Sequence, residues 1–137
     1  MQIKSVSPEE TREVGAKLTK KTSRGDVYAL TGSLGSGKTE LVRGYVAAPS
    51  ADAPVCSPSF TIVNTYHTDT FTIHHFDFYR IKNPDELIEI GFHEYIHNDA
   101  VCFIEWADMF PMVIPDKARF IRFKVGKNNI RFISIDE

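Results

Sequence analysis

The sequence predicts an α/β fold whose sheet is parallel at its centre and gains antiparallel additions, flanked by helices, and three observations carry that prediction. The apolar run Asp26-Val27-Tyr28-Ala29-Leu30-Thr31 stops at a glycine-rich loop and is followed by a helical pattern over residues 37–47. This is how a buried strand, a turn and a helix succeed one another. A second uninterrupted run, Val101-Cys102-Phe103-Ile104, suits another central strand. Two pairs of β-rich segments, 61–67 with 71–78 and 119–125 with 130–135, are each joined by a short polar connection and read as hairpins. Strand, loop, helix and further strands in this order argue for an α/β sheet, parallel in the middle with antiparallel additions.

The remaining elements follow along the chain. Ser7-Pro8-Glu9-Glu10 opens the first helix, with serine as N-cap, proline at the first helical position and glutamate at the third. Val14 and Leu18 carry its apolar stripe, and it should end near Lys21. Pro49, Pro54 and Pro58 stand among small residues, a composition that forbids continuous helix or central strand and makes the stretch before residue 61 a loop. Pro84-Asp85-Glu86 starts a short helix over 84–89, and 92–96 forms another. No repeat or low-complexity segment interrupts this order, so residues 1–137 read as a single domain.

Composition excludes several functions. Lys+Arg number 16 against 18 Asp+Glu, the net charge is −2 and the pI is about 6.2. No global field therefore draws the chain onto nucleic acid or anionic lipid. The longest apolar run is five residues, 100–104, where a membrane span needs about 20. The opening residues make no signal-peptide pattern, and a cytoplasmic protein is expected. Cys56 and Cys102 lack C-x-x-C spacing and read as small buried hydrophobes.

Gly32-Ser33-Leu34-Gly35-Ser36-Gly37-Lys38-Thr39 matches G-x-x-x-x-G-K-[ST], after a predicted strand and opening a predicted helix. Glycines belong there because consecutive backbone N–H groups must curl around phosphate oxygens, and the following helix presents its positive end to the same anion. Lys38 would reach the β- and γ-phosphates, and the Thr39 hydroxyl would take one coordination position on Mg²⁺.

His93-Glu94-Tyr95-Ile96-His97 matches a different pattern, H-E-x-x-H, in which two histidines one helical turn apart hold zinc and the glutamate acts as general base. Context rather than rarity separates the two motifs. A zincin site needs a stable helix and a third ligand. This window is bounded by Gly91 and by Asn98-Asp99, and no spacing singles out His67, His74 or His75 as that ligand. Solvated histidines on a short helix are the better reading, with a zinc hydrolase kept as an alternative.

A phosphate-loop ATPase also needs an acidic residue at the end of a neighbouring strand, to hold Mg²⁺ or its water. Glu105 closes the run 101–104, and Asp77 closes Thr72-Ile73-His74-His75-Phe76. No N-K-x-D guanine signature is present, so adenine is the expected base.

The Gly-Lys-Thr loop, Ser57-Pro58-Ser59-Phe60-Thr61, His75-Phe76-Asp77-Phe78-Tyr79-Arg80 with Pro84-Asp85-Glu86-Leu87, and Ile104-Glu105-Trp106 together resemble the TsaE family over roughly residues 6–125. That family is the bacterial ATPase component of threonylcarbamoyladenosine modification of tRNA. The resemblance implies a switch-like loop at 57–61 near the γ-phosphate. It implies Leu34, Gly35, Ser36, Gly37, Lys38, Thr39, Thr61, Asp77 and Trp106 as the nucleotide-binding set. Lys38, Asp77 and Glu105 would serve hydrolysis, and Thr39 and Glu105 would hold Mg²⁺. The chain departs from the family pattern at Ser33, Glu40 and Ser59.

The expected function is Mg²⁺-dependent ATP binding and slow hydrolysis to ADP and phosphate, driving a conformational cycle with TsaB and TsaD. A small-molecule P-loop kinase is the alternative, although 137 residues leave little chain for a substrate lid. No arginine stands out as an inserted finger: Arg43 lies on the helix after the loop and Arg80 just past Asp77. Lys117, Arg119, Arg122, Lys124, Lys127 and Arg131 form a basic cluster on the last hairpin, a solvated strand face that could touch tRNA or an acidic partner.

Overall fold

Val27, Tyr28, Ala29 and Leu30 are all buried, because the strand they form is covered on both faces and has no solvent side to alternate with. In the computed structural model, which describes residues 1–48, 55, 58, 61–97 and 99–136, this strand is β2 (Val27–Thr31). Before it come β1 (Gln2–Ser5) and α1 (Pro8–Leu18), and after it α2 (Lys38–Ala47). The hairpin β3 (Val63–His67) and β4 (Thr72–Asp77) leads to two short helices, α3 (Asp85–Glu89) and α4 (Phe92–Ile96). The chain continues through β5 (Val101–Glu105), β6 (Arg119–Val125) and β7 (Arg131–Ile135).

The strands form one seven-stranded sheet in the order β1-β7-β6-β2-β5-β4-β3. β2 runs parallel to both β5 and β6, and β5 parallel to β4, while β3/β4, β6/β7 and β1/β7 are antiparallel. This is the predicted arrangement of a parallel centre with antiparallel additions. The edge strand β1 carries no period long enough to read at four residues; its pairing with β7 makes it a strand.

Two cores cover the two faces. Tyr28, Leu30, Ile73, Val101 and Phe103 pack against Val14, Leu18, Leu41 and Tyr45 of α1 and α2. Phe103 stacks on Tyr28 at 5.1 Å between centroids and meets Tyr45 edge-on at 4.8 Å, the offset and T-shaped geometries that rings prefer. On the other face Val27, Ala29, Phe76, Cys102 and Ile104 pack against Leu87, Phe92 and Ile96 of α3 and α4.

The start of α1 follows its signal. Ser7 Oγ accepts the Glu10 N–H at 3.1 Å with Pro8 in the first turn, and Glu10 reaches back to the Val6 N–H at 2.7 Å. The α-helix ends at Leu18 and a 3-10 turn carries the chain to Lys21. α1 and α2 meet backbone to backbone: a Cβ on Gly44 would lie 1.9 Å from the Arg12 carbonyl oxygen. That contact fixes α2, and with it the loop at its N-terminus. Among the described residues, no helix is long and apolar enough to cross a membrane.

Candidate phosphate and metal site

Strand alternation decides which side chains meet. Along β5, Val101 and Phe103 face α1 and α2 while Cys102 and Ile104 face away, so Glu105 ends the strand on the α2 side. Along β4, Ile73 faces α2 and Phe76 faces away, which puts His75 and Asp77 on the same side as Glu105. Asp77 and Glu105 are register partners at the C-terminal ends of neighbouring parallel strands, where ligands bind in open α/β sheets.

α2 begins at Lys38, one short loop beyond β2, and brings Thr39 over that carboxylate. Thr39 Oγ1 lies 2.9 Å from Glu105 Oε2 and 3.1 Å from Oε1, donating across it. The loop before it is tightly seated: a Cβ on Gly32, at φ +145°, would lie 2.8 Å from both the Phe123 carbonyl oxygen and Ser36 Oγ.

Lys38 is 4% exposed, and its Nζ donates to the Gly32 and Ser33 carbonyls at 2.6 and 3.0 Å. It also sits 4.0 Å from the centroid of the Trp106 ring. Burial pushes the pKa of this ammonium down, and the Glu105, Asp77 and Asp108 carboxylates oppose that shift. Trp106 reaches this position because it adopts φ +58°, ψ +37°, a left-handed conformation that strains a residue bearing a Cβ by about 1–2 kcal/mol. Its indole also packs on Tyr79 at 4.8 Å.

These groups surround a cavity of about 400 Å³, lined by residues 34–40 with Asp77, Tyr79, Glu105 and Trp106. The residues fit a phosphate and a hard cation. Ser36 Oγ is buried with no hydrogen-bond partner among the described residues, a polar atom that a phosphate oxygen would satisfy. The Thr39 hydroxyl and the Glu105 and Asp77 carboxylates are the oxygen donors that Mg²⁺ takes. Asp77 Oδ1 also accepts the Tyr79 N–H at 2.8 Å, which orients it at the strand end.

The structure therefore brings together Leu34, Gly35, Ser36, Gly37, Lys38, Thr39, Asp77, Glu105 and Trp106, as the sequence reading expects. Thr61 is elsewhere: it is exposed at the approach to β3, with Oγ1 donating to Asn64 Oδ1 at 2.9 Å, and does not line the cavity. Of the expected switch loop, Ser57, Ser59 and Phe60 lie outside the described residues. Glu40 at the start of α2 is paired with Arg12 at 2.6 Å and with Arg43, so its charge is offset within the protein. Arg43 also donates to the Val55 carbonyl at 3.1 Å.

The sequence reading misses the contact that His75 makes: it takes the residue as a conceivable zinc ligand and as the start of the 75–80 motif. Its Nε2 lies 2.5 Å from Glu105 Oε2. The i, i+2 spacing puts His75 on the same face of β4 as Asp77, and only the register with β5 brings that face to Glu105. His93 and His97 are exposed, with parallel rings 6.0 Å apart, and His97 falls just beyond a helix of five residues. Among the described residues no group of three or more His, Cys, Asp or Glu side chains gathers as a metal site, there or elsewhere. In the basic hairpin, Arg119 is bound to Asp26 at 2.8 Å, Arg122 to Asp136 at 2.7 Å, and Arg131 to the Gly35 carbonyl at 3.1 Å.

Comparison with known proteins bears on this geometry. The family described as threonylcarbamoyl adenosine biosynthesis protein TsaE matches residues 5–133. The chain is similar to the tRNA threonylcarbamoyladenosine biosynthesis protein TsaE of Bacillus subtilis, 36% identical over 132 residues covering 96% of this chain and 82% of that one. It is similar to the protein of that name from Rickettsia conorii, 32% identical over 94% of this chain and 74% of the relative. The crystal structure of Bacillus subtilis YdiB superposes with a TM-score of 0.79 at 28% identity, covering 98% of this chain and 83% of the other.

Proposed function

The chain belongs to the TsaE family of tRNA threonylcarbamoyladenosine biosynthesis proteins, and from that premise we propose that it is the Mg²⁺-dependent, ATP-binding and ATP-hydrolysing switch subunit of the modifying assembly. The observation that carries the reading is the contact of Thr39 with Glu105 beneath the buried ammonium of Lys38. A hydroxyl and a carboxylate meet there at the N-terminus of a helix, beside a second carboxylate, where a phosphate chain and its cation need them.

Each residue has a task. The backbone N–H groups of residues 34–39 and the N-terminus of α2 bind phosphate oxygens, and the Ser36 hydroxyl satisfies its own burial by joining them. Lys38 supplies positive charge beside the β- and γ-oxygens. Thr39 and Glu105 hold Mg²⁺, which when bound neutralises charge on those oxygens. Asp77, oriented by the Tyr79 N–H, faces the same cavity and orients the attacking water. Trp106 and Tyr79 pack on each other and wall the cavity.

Turnover by the isolated chain is slow in this reading. Among the described residues lining the cavity there is no arginine, and a missing arginine finger lowers the rate on the order of a thousandfold or more. TsaB and TsaD complete the site, and tRNA is met through them. Steady-state ATPase activity of the chain alone and with both partners tests this. Slow turnover alone, marked stimulation on adding them, and loss of the stimulated rate in Glu105→Gln are expected. Fast turnover that ignores the partners would overturn the switch reading.

A further inference from the structure

Behind Glu105 runs a line of polar groups, of which His75 and Tyr66 are buried. His75 is 0% exposed, in the middle of β4. Its Nε2 is 2.5 Å from Glu105 Oε2. A carboxylate only accepts, so Nε2 carries the hydrogen, and Nδ1 is left to take the Tyr66 hydroxyl at 3.4 Å. The Tyr66 oxygen in turn accepts from Asn64 Nδ2 at 3.5 Å. From the opposite side Thr39 donates to the same carboxylate. Glu105 is thus held between an imidazole fixed in the sheet and a hydroxyl fixed in the first turn of α2.

An imidazole that merely filled this space would be a costly filler, because burying a polar ring needs a hydrogen-bond partner that an aliphatic side chain does not. What the imidazole adds is direction. A glutamate has three side-chain torsions, and holding them in one arrangement opposes their rotamer entropy. The bond from Nε2 occupies one lone pair of Oε2 and turns the carboxylate edge toward Thr39.

We propose that His75 is a positioning residue of the metal site: it orients the Glu105 carboxylate toward Thr39 and so sets the affinity of the protein for the Mg²⁺-nucleotide complex, with Tyr66 fixing the ring from behind. This rests on the nucleotide-binding reading above. Partners that orient metal-ligating groups typically change metal affinity 10–100-fold when removed.

The test is a calorimetric titration with a non-hydrolysable ATP analogue across a Mg²⁺ series and in EDTA. It compares wild type, His75→Leu, His75→Gln and Tyr66→Phe. His75→Leu fills the space without a donor and should raise the Mg²⁺ midpoint about tenfold or more, with affinity in EDTA unchanged. His75→Gln restores an N–H near Nε2 and should return the midpoint most of the way to wild type. A midpoint unmoved in His75→Leu, or a Gln variant no better than Leu, would overturn the proposal. Tyr66→Phe removes only a hydroxyl and decides the matter where the position-75 variants fail to fold: its midpoint should rise a few-fold, and an unchanged value would overturn the proposal. A wild type that binds no analogue with or without Mg²⁺ would remove the nucleotide reading itself and this inference with it. Unmoved midpoints on a binding wild type would remove the inference alone.

Discussion

Residues 32–39 and residues 93–97 each match a catalytic motif, and the fold treats them in opposite ways. The first segment stands at the C-terminal ends of the parallel strands, where β4 and β5 deliver Asp77 and Glu105 and where α2 is locked by backbone contact with α1. The second lies on and just past a five-residue helix over the other face, with both histidines exposed. Its inward residues do different work: Phe92 and Ile96 are buried under the sheet, and the Tyr95 carbonyl meets the Cys102 thiol at 3.5 Å. A motif becomes a site when the topology brings it partners that are distant in sequence. Thr39 and Glu105, 66 residues apart, are such partners, and His93 has no equivalent among the described residues.

Four variants sharpen that contrast. Lys38→Ala removes the one buried cation of the loop and should weaken Mg²⁺-ATP binding or turnover by about a hundredfold or more, read by calorimetry and steady-state assay. Gly44→Ala forces a methyl group to within 1.9 Å of the Arg12 carbonyl oxygen. The helices must part, which costs about 3 kcal/mol, visible as a lowered melting temperature; an unchanged value would mean that α2 is not held as described. Under the other motif, burial pushes the Cys102 thiol from its ordinary 9 up to about 12. The unfolded chain then loses this proton first, so stability is fully present below pH 9 and falls as pH rises toward 12, at up to about 1.4 kcal/mol per pH unit. The phenols of Tyr28 and Tyr45, also raised by burial, act in the same direction. Cys102→Ala should flatten the alkaline limb of a melting-temperature profile. His93→Ala with His97→Ala should change neither stability beyond about 0.5 kcal/mol nor nucleotide binding.

The phosphate loop, the central strands and the capped first helix are legible because each is a local pattern: a glycine spacing, an unbroken apolar run, a serine three residues before a glutamate. Glu105 and Asp77 are legible as strand-end carboxylates. The placement of His75 is not, since it depends on the parity of β4 relative to β5 and on their register, which pairs Asp77 with Glu105. Glu40 reads in isolation as a charge set against phosphate. Arg12, 28 residues earlier, supplies its partner only once α1 lies on α2. The helix crossing is equally silent, because a glycine inside a helical pattern reads as a weak point until the backbone opposite it is known.

Trp106 is the only tryptophan, and its ring lies 4.0 Å from the Lys38 ammonium at the wall of the cavity, so its fluorescence reports on the site without a label. Titrating the protein with ATP in the presence of Mg²⁺ should give a saturable emission change that is absent in Lys38→Ala and unaffected in the His93→Ala, His97→Ala double variant. No emission change with ATP, together with one equivalent of zinc bound by the wild type and lost from the double variant, would contradict the account and move the chemistry to the other face of the sheet.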